Sequence, residues 1–171
     1  MTLVNKSSDV VGTSAKYNGH KRRKGVKVHA AVSSNSLPIS LAVGPGNEHD
    51  SKRFVQAVSN IRIKIGRGRP RNKPGEILAD AAYDTETIRI YLRRRGIKCS
   101  IPENKRNQKK PSRGRPTRFN EESYKKRGAV ERFFGWIKLG FRRIAQRHER
   151  LDECFIGLIC LAGFMILWRT I

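Results

Sequence analysis

The chain is 171 residues long, which suits one domain built on one core of moderate size. It carries 37 lysines and arginines against 14 aspartates and glutamates, a net charge of +23. That excess sets it apart from an ordinary near-neutral enzyme and points to a polyanionic partner, of which nucleic acid is the natural one.

Taken in chain order, Met1 to Gly19 is polar and interrupted by Asn, Ser and Gly, unlike a cleavable signal. Val26 to Val32 and Ile39 to Val43 are short β-rich runs joined by Ser33-Ser34-Asn35-Ser36, a composition that predicts an antiparallel hairpin. From His49 to Ile61 the apolar residues Phe54, Val55, Val58 and Ile61 follow a helical period. A basic loop over about 64–75 has too many Gly and Pro residues for regular structure and too much charge to be buried. Glu76 to Ala79 returns to a strand, and Thr85 to Arg95 reads as a helix with Ile88 and Leu92 inward, ended by Gly96. Asp84 is placed to cap that helix. Ile97 to Ile101 is another short strand, and a second basic, Pro-punctuated tract runs over about 104–119. Helices fill about 121–169, the first capped by Asn120 or Ser123.

Cys99, Cys154 and Cys160 are odd in number and show no paired spacing, so neither a disulfide framework nor a zinc site is indicated, and a reducing cytoplasm fits. The most apolar run, Cys154 to Trp168, is shorter than the roughly 20 residues a bilayer span needs and reads as a buried C-terminal helix. Basic clusters lie in turn-like segments rather than on an amphipathic helix, which argues against a membrane surface. Strands interleaved with helices define an α/β sheet.

The most informative stretch is Tyr124 to Lys138. Tyr124, Arg127, Glu131 and Lys138 stand at spacings of three, four and seven, and on one helix they fall within roughly 60° of one another. Val130, Phe133, Phe134, Ile137 and Phe141 make an apolar stripe beside them, which would dock the helix and leave the polar edge at a rim. A carboxylate flanked by cations on such a rim suits a metal ion and a phosphate. Its bland alternative is a solvated acid paired with Arg127 four residues earlier. Asp80, at the end of an apolar strand, has a bland alternative as a turn or cap residue. His49 and Asp50 read as structural, and Trp136 and Trp168 as core or interface residues.

This spacing, Tyr-x2-Arg-x3-Glu-x6-Lys, resembles that of the DDE-type insertion-sequence transposases. Ile77 to Asp84 resembles the family's second-aspartate motif. Gly25 to Val32, Leu37 to Val43 and Gly46-Asn47-Glu48-His49-Asp50-Ser51 resemble its preceding strand pair and exit. The resemblance covers nearly the whole chain. It implies an RNase H-like mixed sheet flanked by helices, with 1–171 forming a single catalytic-type domain. It also implies that Asp80 and Glu131 are catalytic carboxylates and metal ligands for magnesium or manganese. DNA, both transposon ends and target, is the implied partner, engaged by a homodimer. Tyr124, Arg127 and Lys138 would contact it. Arg22, Arg23, Lys24, Arg69 and Arg115, from three basic tracts, are further candidate phosphate contacts. The protein would work in the cytoplasm, at the nucleoid.

The departure from the family is at the N-terminus, where Met1-Thr2-Leu3-Val4 resembles the remainder of a strand whose aspartate, the first of three carboxylates, is missing. Asp9 is the nearest acid, in a polar turn. A two-metal site is expected only with that aspartate, so the chain reads as N-terminally truncated, a partial or second-frame transposase product inactive alone. The alternative is a DNA-binding remnant that represses transposition without cutting. A structural RNA-binding protein of ribosomal type would explain the charge but not the spaced motifs.

Overall fold

The strands β1 (Thr2–Val4), β2 (Lys6–Ser7), β3 (Lys16–Asn18), β4 (Arg23–Val32) and β5 (Pro38–Pro45) come first, and β4 organises the rest. The structure, a computed structural model, describes residues 2–4, 6–7, 15–19, 22–64, 66–104 and 119–170, without the side chains of residues 2–4, 6, 7 and 23. Side chains alternate across a strand, so β4 sends Val26 and Val28 to one face and Lys27 and His29 to the other. β5 lies antiparallel along Val26 to Val32. β1 lies antiparallel along Lys27 to His29, with Thr2 opposite His29 and Val4 opposite Lys27. Because Lys27, Val28 and His29 pair with both neighbours, β1 and β5 occupy opposite edges of β4. β3 pairs with its first residues.

The β4–β5 turn is fastened at Ser36, which is fully buried with φ at +66°. Its hydroxyl accepts a bond from Arg132 Nε at 3.0 Å, tying the hairpin to a helix nearly a hundred residues later. At the other end of the hairpin Gly46 packs against backbone. A Cβ there would lie 2.4 Å from the Gly25 carbonyl oxygen, so no larger residue fits.

The predicted helix over His49 to Ile61 divides into a 3-10 turn, Asp50–Arg53, and α1 (Phe54–Ser59). His49 caps the turn by accepting from the Ser51 amide, and Asp50 pairs with Lys27 at 2.8 Å, so both serve the fold as expected. Then come β6 (Glu76–Leu78), α2 (Glu86–Arg94) and β7 (Lys98–Ser100), a crossover unit in which β6 and β7 pair in parallel. Asp84 does not cap α2. Thr85 does, its hydroxyl accepting from the Ile88 amide, while Asp84 is buried and pairs with Arg89 at 2.6 Å. An acid closed off from water needs a partner at each oxygen, and Asp84 Oδ2 accepts from the Asn104 amide at 2.7 Å.

The C-terminal part holds α3 (Glu121–Lys125), α4 (Gly128–Gly140), α5 (Arg142–Ala145), β8 (Gln146–Arg147) and α6 (Asp152–Trp168), with β8 parallel to β2. Two cores result. Val26 and Val28 join Phe133, Phe134, Ile137, Ile144, Phe155 and Ile159 on one face of the hairpin. Phe54, Val58, Ala79, Tyr83, Ile88 and Leu92 form the second. The expected burial of the C-terminal helix is half right. Phe155 and Ile159 are buried, but Leu161, Phe164 and Trp168 are exposed. Trp136 is exposed as well, so neither tryptophan is a core residue. The cause is a helix apolar all round with only one side docked. No helix among the described residues is long and apolar enough to cross a membrane.

Phe133 is fully buried where α4 meets the hairpin. Phe133→Ala should destabilise the chain by about 3–5 kcal/mol, read as a lower midpoint in urea unfolding.

Candidate functional site

Asp80 follows β6 directly, where the apolar strand ends and the chain turns. One of its oxygens, Oδ1, accepts from the Ala81 amide at 2.6 Å and so caps a short 3-10 turn over Ala81–Tyr83. This is the bland role the sequence allowed, and it leaves the second oxygen free for another. Oδ2 lies 3.3 Å from Arg127 Nη1. Arg127 stands just ahead of α4 and its Nη2 reaches Glu131 Oε1, one turn on, at 3.5 Å. One guanidinium therefore gathers two carboxylates from a strand end and a helix.

The helix expected to carry all four polar residues is broken. Tyr124 belongs to α3, Arg127 lies in the link, and Glu131 and Lys138 belong to α4. Lys126 and Arg127 keep helical dihedrals, so the break is slight and the stripe survives it. Gly128, a poor helix former, follows the link. Arg127 lies over the Tyr124 ring at 5.3 Å, and Phe119 supports that ring at 5.2 Å. Asn120 caps α3 by accepting from the Ser123 amide, as its position predicted. Lys138 is exposed two turns beyond Glu131, about 10 Å along the axis.

Both acids are about half exposed, with side-chain accessibilities of 55% for Asp80 and 51% for Glu131. Ion pairs this exposed contribute about 0–1 kcal/mol. Arg127 thus offsets the repulsion of the two acids without locking them, and a stronger cation could displace it.

Behind this cluster a cleft of about 390 Å³ runs between β4 and β6. Its walls are His29 to Ser34, Glu76 to Ala79, Phe54, Ile61, Lys126 and Arg127, among others. His29 is only 3% exposed, and neither ring nitrogen finds a partner. Burial lowers its pKa to about 4, against the attraction of Asp50. A signal for His29 was present in its position, since it alternates with Val26 and Val28 on a strand buried on both faces. Arg132 was missed for a different reason: its partner Ser36 is distant in sequence and unremarkable in type.

Arg22, Lys24 and Arg69 are exposed, and none forms an ion pair with the acids among the described residues. Arg22 has φ at +49°, in the turn before β4. Asp9, Arg115 and the tract over 105–118 lie outside the described residues, as does the side chain of Arg23. No group of three His, Cys, Asp or Glu residues that could hold a metal ion occurs among the described residues.

The profile of the family described as transposase DDE domain matches residues 4–165. A Burkholderia cepacia protein named as a transposase for insertion sequence element IS402 is 29% identical over 152 residues, 88% of this chain and 66% of that protein. A Brucella ovis protein named as a transposase for IS6501 is 29% identical over 143 residues, 84% of this chain and 98% of that protein. The chain thus spans slightly under two thirds of the first relative and nearly all of the second. No solved structure matches it.

His29 makes a pH prediction. Its folded pKa of about 4 lies below the ordinary 6.5, so the neutral ring is favoured in the fold. The stabilisation is whole above pH 6.5 and is lost as pH falls toward 4, because the unfolded chain takes up the proton first. At about 1.4 kcal/mol per pH unit this amounts to about 3 kcal/mol. Urea unfolding at pH 7 and pH 4.5 should show that loss in the native chain beyond whatever remains in His29→Leu.

Proposed function

The chain belongs to the transposase DDE-domain family, and from that premise we propose that it binds the DNA of an insertion sequence, with Asp80 and Glu131 as two carboxylates of a metal-dependent site for phosphodiester cleavage and strand transfer. One observation carries the reading: residues 51 positions apart, on separate elements, converge on Arg127 at 3.3 and 3.5 Å. Neither acid is buried, each keeps an oxygen turned to Arg127 at a distance too long for a tight bond, and they sit at the rim of a strongly basic chain.

The donor set fits a hard cation. Magnesium takes oxygen ligands, commonly one or two carboxylates, and completes its shell with water and phosphate oxygens. Asp80 and Glu131 would hold it, and once bound it would polarise the phosphodiester and activate the attacking hydroxyl or water. Asp80 Oδ1 is tied to the Ala81 amide, so its carboxylate is oriented while Oδ2 stays available. With a metal bound there, Arg127 would be free to pair with a DNA phosphate, whose oxygens its planar fork matches. Tyr124 steers the guanidinium through its ring face. Lys138 adds a second phosphate contact along the same helix side.

A third carboxylate is required for the two-metal chemistry of the family, and none joins the pair among the described residues. We read the chain as inactive alone and completed by polypeptide that supplies the missing acid. We also read the sheet as RNase H-like, the assembly on paired ends as a homodimer, and the working place as the cytoplasm, at the nucleoid. A pair of acids with no third beside it among the described residues also suits a second reading, a DNA-binding repressor that occupies transposon ends without cutting them.

Fluorescence anisotropy with a 30-base-pair duplex tests binding. Affinity should fall by at least about 1,000-fold between 50 and 200 mM salt, and Arg127→Ala with Lys138→Ala should reduce the log–log salt slope by about 2. A flat salt response contradicts DNA binding. Nicking assays separate the two readings. In chain completed by a fused upstream segment bearing the acid, Asp80→Asn or Glu131→Gln should lower nicking by at least about 100-fold. If the completed chain never nicks, the repressor reading stands.

A further inference from the structure

The helix α6 carries a pattern that the fold does not use. Cys154, Gly157, Leu161, Phe164 and Trp168 stand at spacings of three, four, three and four, the repeat of a coiled-coil seam. On the helix they fall within about 80° of one another. Phe155, Ile159 and Ala162, which dock on the hairpin, lie on the opposite side and are buried. All five seam residues are exposed, Leu161 at 56%, Phe164 at 58% and Trp168 at 71%. The rings of Phe164 and Trp168 lie 6.1 Å apart, so the two side chains make one ridge.

Gly157 is a second, independent sign. Glycine inside a helix weakens it. Gly163, on the docked side, has a reason to be one, since its Cβ would lie 3.3 Å from Pro38. A Cβ on Gly157 would meet nothing within 4 Å. The folded chain therefore gives no reason for a glycine there, whereas a partner that packs close on the seam does.

Charge narrows the partner. From Cys154 to Trp168 the chain has no charged residue, so this face offers DNA no cation. On a chain of net charge +23 it is a place where a second copy can approach without setting lysine or arginine against its like. The exposed parts of Ile156, Leu161, Phe164, Met165 and Trp168 amount to on the order of 600 Å², the upper end for a monomer's largest apolar patch. A stable interface takes about 800 Å² per partner, which this patch and its rim approach.

We propose that the seam pairs two copies of this chain, α6 against α6, antiparallel about a twofold axis between Leu161 and Phe164. In that register Gly157 receives the partner's Trp168 and Leu161 meets the partner's Phe164, each pair occurring twice by symmetry. The largest side chain fills the slot left by the smallest, as close packing requires. A parallel pair would set Trp168 on the partner's Trp168 and leave a gap at Gly157. The antiparallel pair also opposes the helix dipoles and brings Glu153 within a turn of the partner's Arg169. This pairing goes beyond assembly on transposon ends, because it needs no DNA, and it stands whether or not Asp80 and Glu131 hold a metal.

The test uses the full 171-residue chain, stripped of nucleic acid, in sedimentation velocity. A monomer–dimer equilibrium should appear between about 1 and about 100 μM and tighten from about 50 to about 500 mM salt as repulsion is screened, the reverse of the salt response of DNA binding. Leu161→Gln and Trp168→Ala should each weaken dimerisation about tenfold or more. Gly157→Gln should do the same while the urea midpoint of the monomer holds or rises, because the helix gains a better helix former. Leu139→Gln, at an exposed leucine on α4, should leave dimerisation intact, and circular dichroism should be unchanged in all four. A spin label at Cys154, with Cys99→Ala and Cys160→Ala, should report a separation of about 25–35 Å, since about 17 residues of helical rise part the two labels. Three results overturn the proposal. One is a chain that stays monomeric to about 100 μM at either salt. Another is a dimer that Leu161→Gln leaves unchanged or that Leu139→Gln weakens as much. The third is a label separation below about 20 Å, which a parallel pair would give.

Discussion

The fold turns on the two edges of β4. One edge is taken along most of its length by β5; among the described residues, β1 takes the other over Lys27 to His29. The fully paired edge fixes the hairpin, and the hairpin's Val26 and Val28 give α4 and α6 the apolar wall on which Phe133, Ile137 and Phe155 close. The crossover unit of β6, α2 and β7 has a core of its own. Among the described residues β4 and β6 do not pair with each other, and both line the cleft. The acidic cluster lies where this division is bridged by a guanidinium.

That bridge explains how the site can be both assembled and yielding. Asp80 is positioned by backbone, through the cap it forms on the Ala81 amide. Glu131 is positioned by α4, whose opposite side is anchored in the core. Neither depends on Arg127 for its place. Two acids brought toward each other repel, and Arg127 offsets that repulsion at half exposure, where water and salt weaken the attraction. The arrangement leaves both acids and the guanidinium that joins them open to solvent.

Much of this was legible in the sequence because the relevant signals are local. The hairpin, the α2 boundaries, the Asn120 cap and the apolar stripe of α4 follow from period, caps and turn residues, and each forms near its expected place, although the first hairpin strand starts earlier, at Arg23 instead of Val26. The convergence of Asp80 with Glu131 was legible only through resemblance, since no local rule joins a strand end to a helix fifty residues later. Asp84 was misread for the same reason. Its partner Arg89 and its burial are set by packing, and from the sequence alone a cap looked sufficient. The break between α3 and α4 escaped because the stripe remains continuous across it. The exposure of Trp136, Phe164 and Trp168 escaped because an apolar helix says how much surface it could bury but not how much its neighbours cover.

The central claim is that Asp80 and Glu131 form one cation site. Paramagnetic broadening by manganese, followed residue by residue in the NMR spectrum of the chain with Arg127→Ala, tests it most directly. The account predicts that amides around Ala79 to Ala82 and around Gly128 to Arg132 broaden together and first, and that Glu131→Gln relieves the broadening in both segments. Broadening confined to one segment, or centred on other acids such as Glu121 and Glu122, would contradict it.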